Sequence, residues 1–207
     1  MRKFVVVFVT AFFFVTLTSL AQAAWYDQLQ GDTPTVRRTG GSTTLARAPY
    51  GQPYFFGHFG IYQPNNSGDG LDGFDSGMNV EAGIGSNVST NLAIDGTLGV
   101  YSATGRGSAT VIPVTVGARL ILPTGSIEPY VGAGVGLCYA NVYQASRNIN
   151  GNQLAIGGYG SVGVDAWMTP RMALNLEGKY HWAEPSINGY SVAVSGWLLN
   201  LGVRLAF

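Results

Sequence analysis

Eight charged side chains stand where they could act on one another: Glu81, Asp95, Glu128, Asp165 and Glu177, with Arg119, Lys179 and Arg204. Each falls on the polar side of a segment whose alternate residues are apolar, so all eight point to the same side of a sheet. His58 and His181 can join them. Five acids and three bases in a confined space must pair or keep water, because an unpaired buried charge is costly. Two kinds of chemistry suit such a set. One is a fixed network of ion pairs and water. The other is a gate, in which pairs exchange partners and open a narrow path. A hydrolytic carboxylate pair gains no support from the spacing, since each acid lies on a separate segment.

Other candidate motifs lead elsewhere. Gly132-Ala-Gly134-Val-Gly136 has glycines, but a phosphate cradle needs a strand, a turn and a helix amino-terminus. Here the glycines alternate within a strand, where they leave room opposite bulky or charged side chains. A hydrolase nucleophile needs a serine beside a histidine. His181-Trp182-Ala183-Glu184 has none, and Ser186 and Ser191 are close only in sequence. Asp69, Asp72 and Asp75 offer oxygens for calcium, but their spacing matches no EF-hand, and a hydrated loop is the plainer reading. The single cysteine, Cys138, excludes an intramolecular disulfide and argues against a cysteine-built zinc site. No metal and no cofactor is expected.

The elements that must carry these residues are strands. In the last ten residues Leu199, Leu201, Val203, Leu205 and Phe207 alternate with Asn200, Gly202, Arg204 and Ala206. That is a strand with one apolar face and nothing after it to cover that face, as in a membrane barrel. The same alternation runs through 54–62, 78–88, 92–101, 110–122, 127–139, 154–167, 172–182 and about 191–207. The short connections 89–91, 123–126 and 168–171 alternate with longer ones, 63–77, 102–109, 140–153 and 183–190. The expected fold is therefore all-β: an eight-stranded antiparallel transmembrane β-barrel, with both termini at the short-turn side. A soluble barrel of lipocalin type also has eight strands, but its apolar face points inward.

Pro113 and Pro129 lie within strands, where proline removes a ladder donor. They are expected near strand ends, absorbed by bulges. Aromatic residues collect at the strand ends: Tyr62, Tyr101, Tyr139, Tyr143, Trp182 and Tyr190 at one rim, and Tyr54, Phe55, Tyr130, Trp167 and Phe207 at the other. This suggests paired girdles, with some rings turned inward.

The front of the chain reads as an export signal: Arg2 and Lys3, an apolar run from Phe4 to Leu20, and small residues at Ala21 and Ala23 before Ala24. The expected organisation is a cleaved signal peptide at 1–23, a flexible periplasmic segment at 24–53 and the barrel at 54–207. Without Arg2 and Lys3, nine basic residues face eleven acidic ones with no basic cluster, which excludes nucleic acid as a partner.

Three stretches carry a family resemblance: Ile127-Glu-Pro-Tyr-Val-Gly-Ala-Gly-Val-Gly136, Val111-Ile-Pro-Val-Thr-Val-Gly-Ala-Arg119 and Gly202-Val-Arg-Leu-Ala-Phe207. Over Tyr54–Phe207 the chain resembles the small OmpA-like outer-membrane β-barrel proteins. The Pro-Tyr-Val-Gly-Ala-Gly stretch is also similar to OmpW-like proteins. The resemblance implies a location in the bacterial outer membrane and assembly by the barrel-assembly machinery, with Val203, Leu205 and the terminal aromatic Phe207 as its signal. It does not extend to the peptidoglycan-binding domain of larger OmpA proteins, since this sequence ends at Phe207. The expected partners are outer-membrane lipid and lipopolysaccharide, and the expected state is a monomer. The expected role is a structural scaffold that presents surface loops around a polar, largely plugged lumen. A narrow porin-like pore or an OmpW-like conduit for small solutes is the alternative. A lipid-modifying enzyme ranks third.

Overall fold

Period-two alternation leaves every segment with one face that needs lipid and one that needs polar company, and closing the sheet satisfies both. The computed structural model describes residues 52–65, 71, 73–144, 149–187 and 190–207. The proposed signal peptide with its cleavage residues Ala21, Ala23 and Ala24, the segment up to Gly51, and Asp69 and Asp72 lie outside the described residues. Eight strands build the barrel: β1 (Pro53–Pro64), β2 (Gly77–Asn87), β3 (Leu92–Thr104), β4 (Gly107–Ile121), β5 (Ile127–Gln144), β6 (Ile149–Thr169), β7 (Met172–Ala183) and β10 (Gly196–Ala206). Each pairs antiparallel with the next, and β1 closes on β10 from Tyr54–Ala206 to Pro64–Gly196. The two-residue strands β8 (Ser186–Ile187) and β9 (Tyr190–Ser191) form a small separate ladder before β10.

The turns at the end that carries both ladder termini are tight, and polar side chains fix them. Ser89 Oγ accepts from the backbone N–H groups of Asn91 and Leu92, and Thr169 Oγ1 does the same for Arg171 and Met172. Gly125 has φ +110°, a conformation an L side chain rarely adopts.

Exposure follows parity. Val116, Leu120, Val131, Val135, Val162, Leu176, Leu199 and Leu201 are exposed around the outside, while the alternate residues are buried or half-buried. A soluble barrel would reverse that assignment. Trp182, Trp197, Tyr139 and Tyr143 face outward at the far rim, and Phe207 does so at the terminal rim. Tyr54, Tyr62, Tyr101, Tyr130 and Trp167, expected among the girdles, are buried inside.

Three expectations are corrected. Pro113 sits mid-strand, paired with Cys138 across β4–β5, rather than by the rim. No bulge absorbs it. The β3–β4 pairing instead lapses between Leu98–Val114 and Tyr101–Val111 without changing register. Pro129 also has no bulge. Its carbonyl accepts from Leu122 N–H at 2.9 Å just past the end of the β4–β5 pairing, so the donor it lacks faces the strand end. The register shift in this barrel lies between Trp167 and Thr169. Second, two of the expected long connections are mostly strand. β3 and β4 run on to a turn at Gly105–Arg106, and β5 and β6 stay paired as far as Gln144–Ile149. These Ser-, Asn- and Gly-rich stretches have weak β preference, but a neighbouring strand supplies partners regardless. Third, the last barrel strand begins at Gly196 instead of about Ser191.

Candidate functional site

The inside of the barrel is layered. At the terminal end Tyr54, Phe56, Ala93, Ile121, Tyr130 and Ala206 form an apolar layer. At the far end Tyr62, Val111, Val142 and Leu198 meet Leu71 and Phe74 from the first connection, and Val192 and Val194 from the last. Hydrogen bonds to backbone carbonyls hold those two connections in place. Asp75 N–H donates to the Thr104 carbonyl at 2.7 Å, and Tyr62 O–H donates to the Val194 carbonyl at 2.8 Å. The far end of the lumen is therefore largely apolar, where alternation predicts mostly polar residues and glycine.

Most of the charged residues lie between the layers, with Glu128 nearer the terminal end and Arg204 level with Phe56, and the eight expected there are all buried in the lumen. They form two linked groups. In the first, Lys179 Nζ lies 2.8 Å from Glu81 Oε2 and 3.2 Å from Glu177 Oε1. Tyr101 O–H donates to Glu81 at 2.6 Å, and Asn200 Nδ2 donates to Glu81 at 3.0 Å and to Glu177 at 3.3 Å. In the second, Arg119 Nε donates to Asp95 Oδ2 at 2.8 Å, and Arg204 pairs with Asp165. Asn175 Nδ2 adds a bond to Asp165 at 2.6 Å. Tyr130 joins the groups: its hydroxyl donates to Glu177 and accepts from Asn175, each at 3.0 Å. Glu128 accepts from the Trp167 indole N–H at 2.8 Å. His58 Nδ1 approaches Glu81 and Glu177 at 3.7 and 4.0 Å. His181 forms no ion pair among the described residues; its ring meets Tyr101 edge-on.

Sequence reasoning missed the neutral members of this network, above all Tyr159, whose ring lies under Lys179 Nζ with 4.7 Å to the centroid. Its signal was available, since it shares the parity of Ser161 and Asp165 on β6. The expected role of the glycines also has a concrete form. A Cβ at Gly134 would lie 2.5 Å from Tyr159 Cε1 and 2.7 Å from the Val116 carbonyl oxygen, and Tyr130 lies equally close over Gly163. Large inward rings rest on neighbouring strands where those strands carry no side chain. Gly134→Val is therefore expected to destabilise the barrel by about 1–3 kcal/mol through overpacking. The midpoint of urea unfolding reads this, and an unchanged midpoint would contradict the packing described.

A metal reading of His58, Glu81 and Glu177 has the right ligand types within 4.8 Å of one another. The facing oxygens, however, already accept from Lys179 and Asn200. An ammonium stands where a metal cation would bind, and the donors would have to leave before an ion could enter. The cavity among Phe56, His58, Asp95, Arg119, Glu177 and Lys179 amounts to about 10 Å³, which is room for one water molecule.

The same architecture occurs in solved structures. Neisserial surface protein A matches with a TM-score of 0.60 at 18% identity, over 75% of this chain and 97% of that one. This is the fold of a small outer-membrane barrel. The outer membrane protein OprG of Pseudomonas aeruginosa follows at 0.52 and 13%, over 77% of this chain and 98% of its own. The N-terminal barrel domain of OprF from the same organism gives 0.50 and 16%, over 75% and 97%. No family model matches the sequence, and no curated protein matches it. The lipid-compatible exterior and this fold together place the protein in the outer membrane as an integral barrel.

Proposed function

We propose that the protein is a structural scaffold of the outer membrane, with a closed lumen and surface connections held out from a rigid wall. The observation that carries this reading is the small cavity, with room for about one water, beside the ion pairs of Arg119 and Lys179. A pore needs a continuous wet path. Here the cavity beside Lys179 and Arg119 has room for about one water, and buried apolar clusters lie toward both ends of the lumen. In this reading the exterior contacts outer-membrane lipid and lipopolysaccharide, and Val203, Leu205 and Phe207 serve the assembly machinery. The barrel works as a monomer, without a cofactor and without catalysis.

One observation favours a second reading, an OmpW-like conduit for small apolar solutes. The far end of the lumen is largely apolar, as such a conduit would require, and it is filled by Leu71, Phe74, Val192 and Val194 from the two connections rather than by the barrel wall alone. Swelling of liposomes that carry the refolded protein separates the two readings. The scaffold predicts entry of small sugars and amino acids no faster than into empty liposomes. Faster entry would overturn it, and an increase confined to apolar solutes would support the conduit.

A further inference from the structure

Every charged group in the first lumen cluster is hydrogen-bonded except one candidate. His58 is buried at 4% exposure, and neither of its ring nitrogens has a hydrogen-bond partner. An imidazole left in that condition is costly. Its position is nonetheless specific. The ring packs against Gly202 of β10, where a Cβ would collide with it, and lies 5.0 Å from the Phe56 ring. Nδ1 points at the gap between Glu81 on β2 and Glu177 on β7, at 3.7 and 4.0 Å. Two carboxylates meet there with one ammonium, that of Lys179. With a neutral His58 the cluster carries one uncompensated negative charge; with an imidazolium it is neutral.

The remaining charged neighbours do not remove that imbalance. Asp95 on β3, Arg119 on β4 and Tyr159 on β6 share the small cavity with His58. Asp95 is taken by Arg119, and Asp165 on β6 by Arg204 on β10. Asn200 on β10 contributes neutral donors only. The cavity beside His58 has room for about one water, enough to deliver a proton without opening the lumen.

We propose that His58 is a proton-binding site: on mild acidification its Nδ1–H becomes the second cation between Glu81 and Glu177 and ties β1 to β2 and β7. The proposal goes beyond the scaffold reading and stands whether or not the lumen conducts, because its readouts are proton binding and unfolding.

The chain has two histidines, so the test is compact. The imidazoles of the histidine-labelled, refolded protein are followed by NMR over about pH 5–8, the range in which histidine changes charge. His181→Gln identifies the His58 signal. Urea unfolding midpoints are recorded over the same range for the wild type and for His58→Gln. The expected result is that His58 gains a proton as the pH falls, that the wild-type midpoint rises with it, and that His58→Gln flattens the rise. If His58→Gln does not refold, the two wild-type curves decide, and they must move at the same pH. A His58 signal that keeps one protonation state throughout overturns the proposal. So does a midpoint that ignores the titration, or a His58→Gln protein with the wild-type slope. Loss of the His58 signal on adding zinc alone would overturn it in favour of the metal reading.

Discussion

Replacing Lys179 by methionine is expected to lower the unfolding free energy of the refolded barrel by about 3–5 kcal/mol, the usual cost of leaving a buried charge without its partner. Methionine keeps much of the stem but removes the ammonium that lies within 3.2 Å of both Glu81 and Glu177. Two buried carboxylates then face each other with Asn200, Tyr101, Tyr130 and His58 as their remaining polar neighbours among the described residues. The cost arises from the stranded charges more than from the lost bonds. A second change that removes one of those charges, Glu81→Gln, should therefore restore part of the stability. Urea unfolding of the single and double variants measures this. Equal losses in the two would mean that Lys179 contributes packing alone.

The second large effect concerns the outside. Val135 lies midway along β5, paired with Val116 on one side and Gly158 on the other, and is 65% exposed. In a soluble barrel an arginine at such an exposed position would change stability by no more than about 0.5 kcal/mol. Near the midplane of a bilayer it costs about 2–4 kcal/mol. Val135→Arg is expected to show the larger loss when unfolding is followed in lipid vesicles. A loss within experimental error would contradict the membrane-facing exterior. This variant leaves every lumen contact in place, so its effect is separable from that of Lys179→Met.

Much of this fold was legible in the sequence because a barrel writes both of its environments into a period of two. Leu199, Leu201 and Val203 against Asn200, Gly202 and Arg204 already assign each side chain a face, and the structure keeps every one of those assignments. The eight inward charges were found in the same way. What alternation does not encode is which strand lies across the lumen. Lys179 meets Glu81 from 98 positions away, and only barrel closure and register bring them together. The neutral donors were passed over because they carry no charge, although the parity Tyr159 shares with Ser161 and Asp165 already turns it inward.

The apolar far layer was missed for a different reason. Val111, Val142 and Leu198 obey the inward parity but are not polar, so alternation by polarity fades toward that rim. Leu71, Phe74, Val192 and Val194 sit in connections, where isolated apolar residues carry no periodic signal. The prolines show the limit of local rules. Pro113 removes a donor in mid-strand, and the ladder simply opens beside it while the register holds.

Single-channel recording from the refolded protein in a planar bilayer tests the closed lumen most directly. A closed lumen predicts a flat baseline in concentrated potassium chloride, with the barrel shown to be folded by its shifted mobility on unheated electrophoresis. Discrete, reproducible current steps from the folded protein would contradict it. They would mean that the pairs among Lys179, Glu81, Glu177, Arg119 and Asp95 part to form a wet path.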